Sequence, residues 1–230
     1  MEVPYPGAAR DVVGWVTEEQ MIEVDRVMID DLHIELLQMM ENAGRNLARV
    51  VLDTHGPTTV AVAAGTGGNG GGGLVAARHL ANAGADVTVA VTSPDRLSPT
   101  ARHQYDILGR MGVPTAAMPP KAEVTVDAVI GYSLRGAPRG RSAEFIESLT
   151  GRGAVVALDT PSGLDVTTGE APGLVVDAAA TVTLALPKVG LRSAPPVGTL
   201  LLADISVPRS VTEPLGGAPD FSRSPILHLE

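Results

Sequence analysis

An α/β protein with a mostly parallel sheet is the fold class that this 230-residue sequence predicts, and three observations support it. Short apolar runs alternate with helical stretches after residue 58, as happens when helices join parallel strands. Hydrophobic residues make up 44% of the chain but aromatic residues only 3%, so aliphatic side chains must fill the core, as in a buried parallel sheet. A glycine-rich turn, residues 65–73, follows the first predicted strand.

Two amphipathic helices are predicted before the sheet. Thr17 and Gln20 stand at the spacing of a capping box, so a helix should begin there. Apolar residues at three- and four-residue steps predict a second helix over residues 32–52. These apolar residues are Leu32, Leu36, Leu37, Met40, Ala43, Leu47, Val50 and Val51.

Six to seven strands are predicted after these helices, mostly parallel and joined by right-handed crossovers. The predicted strands cover residues 59–64, 87–91, 124–130, 154–158, 180–185 and 199–202, and the predicted helices 73–83, 101–111 and 143–149. Four prolines from Pro208 onward predict an extended tail over residues 209–230, wrapped on the surface or loosely ordered. We therefore expect a single domain over residues 1–230, with a core of about residues 17–208.

Composition excludes several classes of protein. A formal net charge of −9, with no cluster of Lys and Arg, argues against nucleic acid as a partner. The absence of cysteine excludes disulfides, thiolate zinc sites and a cysteine nucleophile. No early apolar run resembles a signal peptide, and no segment approaches the length of a membrane span. The expected location is the cytoplasm, without a membrane partner.

The glycine-rich turn, residues 65–73, predicts a phosphate-binding site. Its N–H groups and the N-terminus of the next helix would form a positive concavity. A flexible connector is the alternative, although seven glycines are costly to order. No Gly-Lys-Ser or Gly-Lys-Thr follows, which excludes a Walker A loop. Residues 65–70 match G-x-G-x-x-G, which keeps a dehydrogenase open as a second interpretation, although no acidic residue clearly ends the second strand.

Two carboxylates are candidate site residues. Asp127 lies in an otherwise apolar strand and should meet a cation, hydrogen-bond donors or solvent, unless it merely lies near the start of the strand. Asp159 ends another strand and would project into the same crevice as the glycine-rich turn, where it could transfer protons. Its alternative role is to cap its own turn. Ser162 lacks the G-x-S-x-G context of a hydrolase nucleophile.

Several segments together resemble the YjeF N-terminal domain family, the NAD(P)H-hydrate epimerases. The segment Met39-Met40-Glu41-Asn42-Ala43-Gly44-Arg45 is similar to the family's second-helix signature, and residues 65–73 to its loop G-x-G-N-N-G-G-D-G. Residues 126–131 are similar to its middle strand, and Asp159-Thr160-Pro161-Ser162-Gly163 to its D-x-P-S-G turn. Pro187-Lys188 also follows the family's course, and the resemblance covers about residues 17–208.

The resemblance implies a three-layer α/β/α Rossmann-like sandwich, usually a homodimer, that interconverts the R and S epimers of hydrated NADH and NADPH. It implies that Asp159 is the acid/base group. It also implies one potassium ion per subunit, bound by oxygen atoms of Asn69, Asp127 and Ser162. The residues that it assigns to substrate binding are Gly68, Asn69, Gly70, Gly71, Gly72, Gly131, Tyr132, Ser133, Leu134, Arg135, Gly136 and Asp159.

This sequence departs from the family pattern at Gly68 and Gly72, where the family usually has Asn and Asp. The departure predicts weakened activity or a changed substrate. The chain shows no dehydratase domain, so a separate dehydratase is the expected downstream partner. Two other interpretations stay open: an oxidoreductase that uses a nicotinamide dinucleotide, and a catalytically silent nucleotide-binding or interaction protein on the same fold.

Overall fold

The computed structural model describes residues 3–230, which form a nine-stranded sheet with helices on both faces. The strands are β1 (Gly7–Ala8), β2 (Thr59–Ala64), β3 (Asp86–Val91), β4 (Thr115–Ala116), β5 (Val124–Ala128), β6 (Ala154–Leu158), β7 (Ala180–Leu184), β8 (Thr199–Ala203) and β9 (Ile226–Leu229). The α-helices are α1 (Glu18–Arg26), α2 (Leu36–His55), α3 (Gly68–Asn82), α4 (Pro99–Arg110), α5 (Gly140–Leu149) and α6 (Arg209–Thr212). The predicted α/β class is confirmed. Within residues 3–230, no helix is long and apolar enough to cross a bilayer.

The order of the strands marks one place in the sheet as a ligand site. The order is β1-β9-β8-β7-β6-β5-β2-β3-β4, and every pair is parallel except β8 with β9. The chain passes from β2 outward to β3 and β4, then returns to the other side of β2 to form β5. Ligands of open parallel sheets bind at such a reversal, outside the carboxyl ends of the strands. Residues 65–70 and 129–136 therefore lie where a ligand is expected.

Alternation of side chains along the strands produces the three layers. Val60 and Val62 of β2 belong to the same buried cluster as Leu47 of α2 and Leu74 of α3. Ala63, on the other face of β2, belongs to a cluster around Phe145 of α5. The sheet is therefore covered by α2 and α3 on one face and by α5 on the other.

Local features of the chain set the first residues of the two helices before β2. Thr17 Oγ1 accepts a hydrogen bond from Gln20 N, and the Gln20 side chain accepts one from Thr17 N, so the predicted capping box is present. A π-helical turn, Val27–Asp31, extends α1. The second helix begins at Leu36 rather than at residue 32, because His33 adopts a left-handed φ of 54° that interrupts the helical backbone.

The C-terminal segment differs from the expected tail. It ends in β9, which pairs with both β8 and β1, and the side chain of Ile226 is fully buried. Prolines precede this strand but do not interrupt it. The expectation of a surface or loosely ordered tail was wrong for these last residues, because a four-residue strand gives a weak signal beside four prolines.

Candidate active site

A cavity of about 560 Å³ opens at the carboxyl ends of β2 and β5. This volume is typical of small-molecule sites. The predicted site residues that line it are Gly68, Asn69, Gly70, Gly72, Gly131, Tyr132, Ser133 and Asp159. The predicted site residues outside its lining are Gly71, Asp127, Leu134, Arg135, Gly136 and Ser162. The structure thus brings the glycine-rich turn, the loop after β5 and Asp159 to one place.

The glycine-rich turn is largely the first part of a helix. Helix α3 begins at Gly68 instead of the predicted residue 73, and the N–H of Gly71 donates to the carbonyl of Gly67. The N–H groups of the first helical turn have no acceptor within the helix, and they form the positive end of its dipole. Residues 68–70 therefore present an anion-binding helix N-terminus to the cavity.

The glycines of this turn have different reasons to be glycine. A Cβ on Gly65 would lie 2.0 Å from the carbonyl oxygen of Val129, and one on Gly70 would lie 2.1 Å from that of Gly65. Both contacts are with backbone, so no side chain fits at either position. A Cβ on Gly68 would meet no atom within 4 Å. Close approach of backbone thus explains Gly65 and Gly70 but not Gly68.

The two departures from the family pattern are therefore not equivalent. Gly68 faces open space at the position of a Cβ, so nothing prevents a side chain from starting there. At Gly72, a Cβ would lie 2.7 Å from Leu158 Cδ2, so a leucine methyl group occupies the position of any larger side chain. At position 72 the side chain of Leu158 packs where a polar residue would stand in the family, whereas at position 68 no other residue takes the space.

Asp159 is held in a fixed and buried position at the cavity wall. It is 3% exposed and has a φ of 68°, a left-handed conformation that is uncommon for residues other than glycine. Its carboxylate accepts hydrogen bonds from the N–H of Tyr132 at 3.2 Å and, more weakly, from that of Leu184 at 3.4 Å. It also forms an ion pair with Lys188. Asp159 does not merely cap its own turn.

Lys188 is a functional candidate that the sequence alone did not single out. Its side chain is buried, and its ammonium group donates to Asp159, to the carbonyl of Leu184 at 3.0 Å and to Thr183 Oγ1 at 3.3 Å. Lysine is almost never fully buried unless it is paired. A usable signal was present, because Lys188 is one of only two lysines in the chain and follows the apolar run 184–187.

Asp25 is a second candidate that sequence reasoning missed. It lies on α1, lines the cavity and accepts a hydrogen bond from the phenol of Tyr132. Burial raises the pKa of Asp25 above its ordinary value, although the hydrogen bond from Tyr132 lowers it. Burial and the charge of Asp25 raise the pKa of Tyr132. No local pattern could reveal this contact, since the two residues are 107 positions apart.

Asp127 and Ser162 form a buried pair behind the cavity. The Asp127 carboxylate accepts hydrogen bonds from Ser162 Oγ at 2.6 Å, Ser162 N at 2.8 Å and Val129 N at 3.2 Å. All of these donors are neutral, and the side chain of Asp127 is fully buried. The pKa of Asp127 is raised to about 6, because the effect of burial exceeds the opposite effect of these hydrogen bonds. A buried carboxylate with only neutral partners suits a bound cation.

The predicted potassium ligands fit such an ion chemically. Asn69, Asp127 and Ser162 each offer an oxygen atom, the donor that hard cations prefer. The Asn69 Oδ1 atom lies against the loop after β5, since a Cβ on Gly131 would be 3.4 Å from it. Within residues 3–230, no group of three or more His, Cys, Asp and Glu side chains is arranged to hold a metal. The expected potassium ligands are not such a group, because they comprise one carboxylate, one amide and one hydroxyl.

Comparison with known proteins places this fold and site in a family. The family model described as YjeF-related protein N-terminus matches residues 36–190. The chain belongs to this family. An NAD(P)H-hydrate epimerase of Dehalogenimonas lykanthroporepellens is 42% identical to this YjeF-related chain over 220 residues, which cover 92% of this chain and 89% of that protein.

Two other proteins extend the comparison with this YjeF-related chain. A bifunctional NAD(P)H-hydrate repair enzyme of Hyperthermus butylicus is 42% identical over 203 residues, which cover 80% of this chain but only 38% of that enzyme. The crystal structure of the yeast protein ynu0 superposes with a TM-score of 0.81 at 26% identity and covers 94% of this chain and 99% of its own. The resemblance stated from motifs is confirmed, and so is the fold class.

Proposed function

We propose that this chain is an isomerase that interconverts the R and S epimers of hydrated NADH and NADPH. The observation that carries the proposal is the buried Asp159–Lys188 ion pair in the wall of a cavity at the N-terminus of α3. Relatives that are 42% and 38% identical and match along most of their length are named NAD(P)H-hydrate epimerases. Geometry and relationship therefore support the same reaction.

The proposed chemistry needs an acid/base group beside the hydroxyl-bearing carbon of the ring. The carbon–oxygen bond breaks, the oxygen takes the electron pair and a proton, and water leaves. Addition of water to the opposite face, with return of the proton, gives the other epimer. Asp159 would move the proton and stabilise the cationic ring between these steps, and the Lys188 ammonium group would hold the carboxylate in place.

The N-terminal turn of α3 would bind the diphosphate of the substrate. Residues 68–70 supply free N–H groups at the positive end of the helix dipole. Gly71 and Gly72 are predicted substrate contacts, but both are buried, and a Cβ on Gly71 would lie 2.5 Å from Met40 Cε. Their proposed contribution is to let α3 approach α2 and β6 closely. Gly68 leaves room in the turn, which we expect to weaken rather than abolish binding.

The loop after β5 would bind the rest of the substrate. Gly131, Tyr132 and Ser133 line the cavity, whereas Leu134 is buried beside it. The Arg135 side chain is 69% exposed and paired with Glu18, so it could reach a phosphate only by leaving that carboxylate. We propose that Arg135 and Gly136 form the rim of the site.

The remaining expectations stand as parts of the same proposal. A potassium ion held by Asn69, Asp127 and Ser162 would neutralise the buried carboxylate and steady both loops. We also propose that the chain forms a homodimer in the cytoplasm and that a separate dehydratase consumes one epimer. An oxidoreductase has less support, because β3 ends at Val91 and Thr92 follows, where a dinucleotide-binding fold has an acidic residue.

Epimer exchange tests the proposed function directly. A hydrate preparation enriched in one epimer is incubated with the purified chain, and both epimers are followed by chromatography. We expect exchange well above the uncatalysed rate, with no change in the redox state of the nicotinamide. Exchange at the background rate would contradict the proposal. Hydride transfer to or from an added alcohol would support the oxidoreductase instead.

A further inference from the structure

Helix α1 forms one wall of the cavity, although the predicted site residues all come from other elements. Met21 and Asp25 of α1 and Ile29 of the π-helical turn line the cavity. Two of the residues on α1 also contact the loop after β5: Asp25 through Tyr132 and Glu18 through Arg135. The helix therefore borders the substrate space and holds the loop that faces it.

Tyr132 connects two carboxylates through different parts of one residue. Its phenol donates a hydrogen bond to Asp25, and its N–H donates one to Asp159 Oδ2 at 3.2 Å. The ring centre also lies 6.0 Å from the Lys188 Nζ atom that pairs with Asp159. Anchoring the Tyr132 phenol consequently limits how far the backbone of this loop can move, and with it the N–H that holds Asp159.

We propose that Asp25 is a positioning residue for Asp159 and acts through Tyr132. Its hydrogen bond to the phenol keeps the Tyr132 N–H on Asp159 Oδ2, which leaves Oδ1 to Lys188 and the N–H of Leu184. Without this link the backbone of the loop at Tyr132 is less restrained, and its N–H can move away from Asp159, which then loses one of the donors that fix its carboxylate. This role rests on the proposed function only as far as catalysis is concerned, because the link between Asp25 and the loop is structural.

The link through Asp25 differs from the other contact of the same helix. Asp25 and Tyr132 are both partly buried, so their hydrogen bond is shielded from competing water. Glu18 pairs with the guanidinium of Arg135, whose side chain is 69% exposed, and such exposed pairs contribute little. The positioning role therefore belongs to Asp25.

Four single variants test this role in the epimer-exchange assay. Asp25→Ala and Tyr132→Phe should each lower kcat about tenfold with a smaller change in KM, and the double variant should be no slower than either. Asp25→Asn keeps an acceptor oxygen for the phenol and should retain most of the rate. Glu23→Ala, which removes an exposed carboxylate on the same helix, should match the wild type.

Hydrogen exchange of the Tyr132 amide gives a readout that does not depend on turnover. We expect faster exchange in Asp25→Ala and Tyr132→Phe, and unchanged exchange in Glu23→Ala, with thermal midpoints recorded for every variant. Wild-type protection of this amide in Asp25→Ala would overturn the positioning role, as would additive losses of kcat. A wild-type chain that exchanges no epimers would overturn the proposed function, while the amide protection would still decide the role of Asp25.

Discussion

Lys188 and Asp159 illustrate what a buried ion pair does in this protein. Both side chains are almost completely buried, at 1% and 4% exposure, so each charge depends on the other for compensation. Such pairs add little to stability relative to apolar replacements, but breaking one of them is costly. The pair therefore fits a role in holding a charged group at the cavity better than a role in stabilising the fold.

Removal of Lys188 alone should destabilise the protein. We expect Lys188→Met to lower the free energy of unfolding by about 3–5 kcal/mol, because Asp159 would remain as a buried, uncompensated charge. The double variant Lys188→Met with Asp159→Asn should recover much of that loss. Urea unfolding of both variants measures the difference. A double variant as unstable as the single one would show that the lysine contributes through packing instead.

The proposed cation site should also have a measurable effect on stability. A ligand that binds only the folded state raises the thermal midpoint with its concentration. We expect KCl to raise the midpoint of the wild type more than choline chloride does at equal ionic strength, and Asn69→Ala to remove the difference. Identical responses of the wild type to both salts would exclude a specific potassium site.

Helix α3 shows how much an element depends on single glycines. Its first turn contains Gly68 and Gly70, which differ in what surrounds them although both are helical. Gly70 packs against the backbone of Gly65, and Gly68 faces open space. Contact with backbone therefore requires glycine at position 70, whereas no contact requires it at position 68.

A matched pair of alanine substitutions tests this difference between the two glycines. Gly68→Ala should leave the free energy of unfolding unchanged or raise it by up to ~1 kcal/mol, since alanine favours helix. Gly70→Ala should lower it by at least ~2 kcal/mol, because its Cβ would lie 2.1 Å from a carbonyl oxygen. Chemical denaturation of both variants gives the comparison. Equal effects would mean that the turn adapts around either side chain.

Local patterns predicted most elements but not all of their ends. The strands over residues 59–64 and 154–158 were predicted with the bounds that the structure has. Helix α3 was predicted to begin at residue 73, because its glycines have low helix propensity. Packing of Gly72 against Leu158 and of Gly73 against Ala128, both distant in sequence, overrides that preference. Bounds set by long-range packing are thus the ones that sequence patterns missed.

The whole sheet unites both ends of the described chain. Strand β9 lies between β8 and β1, so residues 226–229 connect the N-terminal strand to the rest of the sheet. Ile226 has no exposed surface and joins the same cluster as Val182 and Leu201. The C-terminal segment is therefore part of the core and not an appendage.

Truncation of Ile226 tests this arrangement. We expect Ile226→Ala to lower the free energy of unfolding by about 2–4 kcal/mol through lost apolar contact and a residual cavity. Ile22→Ala removes the same atoms from a side chain that is 44% exposed on α1, and its effect should stay within about 0.5 kcal/mol. Equal effects of the two substitutions would show that β9 does not contribute to the core.

Residues from distant parts of the chain meet at the site, and this limited what sequence could predict. Asp159 and Asn69 belong to motifs with a recognisable local pattern, so they were identified. Asp25 stands in a helix without a motif, and the signal at Lys188, a rare lysine after an apolar run, does not reveal its partner; only the fold brings them to Tyr132 and Asp159. Their pairing depends on the packing of α1 and on the segment after β7, which no local pattern encodes.

The central claim is that Asp159 makes this chain an epimerase. Its most direct test compares epimer exchange by the wild type, by Asp159→Asn and by Asp165→Asn. Asp165 is the matched control, because it accepts hydrogen bonds from Thr167 and Thr168 within its own turn and does not line the cavity. We expect exchange by the wild type and Asp165→Asn, and a loss of about 10²-fold or more in Asp159→Asn. Equal rates for the wild type and Asp159→Asn would contradict the claim.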